Sequence, residues 1–120
     1  MSVHHSITGV CVHTVSNTVC ARLWLRFHHP GLLLRLGTAR RILDRMTMQA
    51  DPGEVSHLRR LAGEECAAID GLLAQVTADY QSADLFERRM IVAVEAHASS
   101  VMLALRLAQK ETTDDEKMAL

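Results

Sequence analysis

From Asp51 to Lys110, apolar residues recur at steps of three and four, the spacing that gathers them on one face of an α-helix. The first run is Val55, Leu58, Leu61, Ala62, Cys66, Ile69, Leu72, Leu73, Val76 and Tyr80, with Arg59, Arg60, Glu64, Asp70 and Gln75 on the other side. It predicts a helix over about 52–80. Asp51-Pro52-Gly53-Glu54 marks its start: Asp51 can accept from free first-turn amides, Pro52 loses nothing by lacking an N–H, and Glu54 can reach back as in a capping box. Gly63 and Gly71 each weaken this helix by about 1 kcal/mol relative to Ala, unless they admit a neighbouring helix at close range.

The second run is Phe86, Met90, Val94, His97, Val101, Ala104, Leu105 and Ala108, and predicts a helix over about 83–110, with Ser82 as N-cap after a turn at Tyr80-Gln81-Ser82. Two such helices joined by a short turn form a long antiparallel hairpin. Ile91, Val92, Leu103 and Leu107 fall outside the second stripe, so a further helix or a second copy of the chain is needed to cover them. Leu32, Leu36, Ala39, Leu43 and Met46 are helically spaced and predict a possible third helix at about 32–49. The N-terminal 30 residues read as irregular or disordered, and the polar tail from about residue 111 as frayed.

Composition agrees with an all-α class: the 120 residues are 48% hydrophobic but only 3% aromatic, with two prolines and six glycines. The net charge of −1 hides a division of the chain. Residues 1–43 hold five arginines and no Asp, Glu or Lys, whereas all fourteen acids follow residue 43. The expected organisation is therefore a basic, acid-free extension at 1–45 and a helical-hairpin domain at 46–120. An acid-free, arginine-bearing extension suits a targeting segment, an upstream start codon with translation proper from Met46 or Met48, or a genuine folded extension of the domain. No run approaches the roughly 18 uncharged apolar residues of a membrane span.

Chemistry-bearing residues are few. His4, His5, Cys11, His13, Cys20, His28 and His29 cluster early, but no C-x₂-C pair supplies half of a zinc tetrahedron. Glu54 and His57 have the i, i+3 spacing of di-iron bundles, yet Glu95 and His97 point about 200° apart and no matching set completes the site. Cys66 with His97 lacks a third orienting group. His97 interrupts an apolar stripe and reads as a polar core residue or a pH-sensitive contact. The paired arginines 40-41, 59-60 and 88-89 spread over helix surfaces without an aromatic platform or helix-turn-helix pattern.

These patterns point to a small cytoplasmic interaction or regulatory protein, non-enzymatic and without a cofactor. It would act through the apolar surface of Ile91, Val92, Leu103 and Leu107, either on a partner's helix or on a second copy to give a four-helix bundle. The alternatives are a metal-binding protein or enzyme using His97, Glu95 or Cys66, and a basic-arm nucleic-acid binder.

Overall fold

The computed structural model describes residues 19–48 and 51–119, with side chains as far as residue 110. Every regular element among these residues is helical: α1 over 19–28, α2 Pro30–Thr47, α3 Pro52–Ala78 and α4 Leu85–Ala119. The all-α hairpin is thus α3 and α4, and the third helix is α2. Part of the segment expected to be irregular is α1, which carries the buried residues Ala21, Trp24 and Leu25. That spacing is helical, but it is shorter than two turns of clear periodicity and is masked by Arg22 and Arg26. The remainder of that segment, up to residue 18, lies outside the described residues.

Local chemistry explains the boundaries. A single non-helical residue, His29, separates α1 from α2; its extended φ of −141° breaks the path, and Pro30 restarts it at the first helical position. Asp51 caps α3 by accepting from the Glu54 amide at 2.8 Å. The Glu54 carboxylate does not reach back to complete the capping box, because it takes both Nε and Nη2 of Arg45, at 2.9 and 2.7 Å. At α4 the cap is Asp84 rather than Ser82: Asp84 Oδ1 accepts from the Glu87 amide at 2.8 Å. Ser82 instead donates to the Asp79 carbonyl, 3.2 Å away, inside the turn. Arg88 closes that turn, donating to the carbonyls of Tyr80 and Gln81 at 2.9 and 2.8 Å while lying over the Tyr80 ring.

Long-range pairs set the directions. Arg45–Glu54 and Arg35–Glu65 link α2 to α3 with residue numbers running in opposite senses, so the two helices are antiparallel. Cys66 faces the Met102 carbonyl, and Gln109 donates to the Arg59 carbonyl at 3.1 Å, so α3 and α4 are antiparallel as well. α2 therefore runs parallel to α4. The core is one continuous cluster from all four helices, with Leu32, Ile69, Val76, Met90, Val94 and Leu105 almost wholly buried. Gly63 does admit a neighbour: a Cβ there would stand 3.0 Å from Gln109 Nε2. Gly71 does not, since nothing lies within 4 Å of its Cβ position.

Glu65 is the buried charge in this core, 7% exposed. Its Oε2 accepts from Arg35 Nη1 at 2.6 Å, while its Oε1 has no partner among the described residues. The pairing sets α2 in register on α3, because a buried carboxylate without its cation is strongly unfavourable. Nothing in the local sequence distinguishes Glu65 from the exposed Glu64 beside it; only the arrival of Arg35 does.

Candidate functional site on the outer face of helix α4

Helix α4 has two faces of different character. Its inner face is Met90, Ile91, Val94, Ala98, Met102 and Leu105, all buried against the other helices. Beyond Val94 this departs from the expected stripe at Ala98 and Met102, which are buried in place of His97 and Val101, and meets it again at Leu105. Ile91, expected on the uncovered surface, is only 2% exposed: it lies on the side of α4 shared with Gln109 and Met102, which face α3. It belongs to the core.

The other three residues of the expected surface do face outward. Val92, Leu103 and Leu107 are 52, 54 and 50% exposed. At 100° per residue they fall within about 60° of one another, and Leu85, Ala96, Ser99 and Ser100 lie on or beside the same line. The stripe is apolar and bulky at both ends and small in the middle, on the side of α4 opposite the core. Small residues at the midpoint let a second helix backbone approach closely. Glu95 and Arg106 flank the stripe on one edge, both exposed and both without an ion-pair partner among the described residues. By length and composition alone, α4 is also apolar enough to cross a membrane over Leu85–Lys110, which the residue-by-residue reading did not anticipate. One of its faces is nevertheless committed to the core, and its outer face carries exposed Arg89 and Lys110 on the stripe as well as Glu95 and Arg106 at its edge.

His97 is exposed at the rim of a cavity of about 400 Å³ between α1, α2 and α4. Partial burial lowers its pKa from the usual value, and the positive charges of Arg40 and Arg22 lower it further. It is not a core histidine. Nor is it paired with Cys66, whose thiol faces Met102 on the α3 side. The Glu54–His57 candidate dissolves into surface pairs, with Glu54 held by Arg45 and His57 Nδ1 2.7 Å from Arg60 Nη2. His28 and His29 both lie against the Trp24 ring, at 5.2 Å between centroids. Burial lowers the His29 pKa too, against the opposing pull of Asp79. Among the described residues no three His, Cys, Asp or Glu side chains converge on a possible metal position; His4, His5, Cys11 and His13 lie outside them. Comparison with protein-family models, curated proteins and solved structures gives no significant match, so the functional reading rests on the chain's own geometry.

Proposed function

We propose that this chain is a small cytoplasmic interaction protein that self-associates, the outer face of α4 packing antiparallel on the same face of a second copy. The observation that supports this most is the self-complementary order of that face. Reversing the helix about Ser99 and Ser100 sets Val92 against Leu107 of the second copy and Ala96 against its Leu103. The same register brings Glu95 of each copy opposite Arg106 of the other, within about 3 Å of rise. An isologous two-fold contact repeats each pairing, giving two salt bridges on one edge, set against two like-charge juxtapositions of Arg89 with Lys110 at the ends of the contact. Parallel pairing would set the Glu95 edge against Ala93 and Ser100 and leave both charges unanswered.

The energetics suit a reversible dimer. Three half-exposed side chains per copy contribute about 1 kcal/mol each on burial, about 6 kcal/mol in all, against an association cost of the same order. Two exposed salt bridges add at most about 1 kcal/mol each, so the net is at most about 4 kcal/mol and association should appear only toward millimolar concentration. Sedimentation velocity of the full chain without detergent tests this. A mass rising toward twice 13.3 kDa with concentration is expected, and a monomer at every concentration up to about 1 mM would refute it. Binding to neutral lipid vesicles in place of self-association would assign the face to a membrane instead.

A further inference from the structure

We infer that the cavity between α1, α2 and α4 is a binding site for a small amphipathic anion, a carboxylate carrying an alkyl chain or a single aromatic ring. Its walls are apolar, with Leu25 from α1, Leu33 and Leu36 from α2 and Val94 from α4. Its rim is basic: α1 supplies Arg22, α2 supplies Arg40 and α4 supplies His97. Three helices thus each deliver one nitrogen-bearing group to the same opening, and among the described residues no Asp or Glu lines it. Clefts of roughly 300–1,000 Å³ with apolar walls and a few convergent polar groups are the usual form of small-ligand sites, and about 400 Å³ lies at the small end.

Among the described residues no acid pairs with the arginines at this rim. Arg35, Arg45 and Arg60 are in ion pairs, and Arg41 and Arg88 donate hydrogen bonds. Arg22 and Arg40 have no such partner among the described residues. The N-terminal segment holds no side-chain carboxylate to pair with them, because residues 1–43 contain no acid. The acids that end α4 begin fourteen residues beyond His97, about 21 Å further along the helix. A carboxylate from solution answers this arrangement: guanidinium groups bind it with charge-assisted hydrogen bonds, and its tail takes the apolar walls out of water.

Octanoate, below the concentration at which it aggregates, is the probe, with octanol and acetate as its neutral and tail-less counterparts. Titrations of the full chain would be followed by calorimetry and by the His97 ring-proton resonance. Octanoate should bind saturably, at least tenfold more tightly than either counterpart. The exposed double substitution Arg22→Gln with Arg40→Gln should remove that preference over octanol while leaving the thermal midpoint in place. A Gly37→Leu variant, which projects a side chain from the cavity lining, should weaken octanoate and octanol alike. Equal affinity for octanoate and octanol, an unchanged preference in the arginine variant, or no saturable binding would overturn the proposal.

Discussion

Leu103 and Leu105 are two residues apart on α4 and point to opposite faces, which makes them a matched test of what each face does. Leu105 is wholly buried and Leu103 is 54% exposed. Leu105→Ala removes core contacts and leaves a cavity, so it should cost about 2–5 kcal/mol of folding stability. Leu103→Ala removes side-chain atoms that are half in water already, so the monomer should lose well under 1 kcal/mol by the surface-substitution norm. In the proposed dimer the second copy buries the exposed half of Leu103, worth about 1 kcal/mol per copy. The two-fold contact doubles this to about 2 kcal/mol, a rise of roughly 30-fold in the dissociation constant. Urea unfolding at a concentration where the chain is monomeric reads the first effect, and sedimentation reads the second. The reasoning fails if Leu103→Ala leaves association unchanged, or if it destabilises the monomer as much as Leu105→Ala does. Ile91, although it reads from the sequence as a surface residue, cannot serve in this test, because its burial makes any polar substitution a folding defect.

Two further outcomes concern the fold. Gly71→Ala should stabilise the protein by about 1 kcal/mol, because its Cβ position is open and the helix interior favours Ala. Gly63→Ala should return less in the same urea experiment, since its Cβ must displace Gln109 from the Arg59 carbonyl. Stability should also fall as pH drops below about 6.5. His29 and His97 have lowered pKa values when folded, so the unfolded chain takes up protons first; the stabilisation is complete above the ordinary histidine pKa and is lost on the way down to the folded values. Thermal midpoints at about pH 8 and about pH 5.5 check this, and His97→Gln should shrink the difference, whereas a midpoint that rises on acidification would contradict it.

The parts of this fold that were legible in the sequence share one cause. Long amphipathic runs with strong caps, such as Asp51-Pro52 before α3, declare themselves locally, and Pro30 marks α2 almost as clearly. What could not be read depends on contacts between helices. The phase of α4 differs because His97 and Ala98 stand three and four residues beyond Val94, and helical spacing admits either so long as the positions of the other helices are unknown. The turn into α4 was misplaced by two residues because Ser82 and Asp84 both suit an N-cap, and Arg88 selects between them by holding the preceding carbonyls. α1 was missed because its contribution to the core is brief. The candidate face was three-quarters visible: Val92, Leu103 and Leu107 stand outside, and the fourth residue, Ile91, was claimed by the core. The cavity rim could not be foreseen, since Arg22, Arg40 and His97 lie on three different helices.

The most direct measurement is the sedimentation mass of a charge-reversal cycle at the edge of the α4 face. Glu95 and Arg106 are exposed and without an ion-pair partner among the described residues of one copy, so reversing either should leave the fold intact. Glu95→Arg alone and Arg106→Glu alone each set like charges against one another across the proposed two-fold axis, and each should shift the chain toward monomer. The double variant exchanges the charges and should recover the dimer of the unaltered chain. Recovery in the double variant alone is the result this account predicts; equal association in all four proteins, or a double variant as monomeric as the singles, would contradict it.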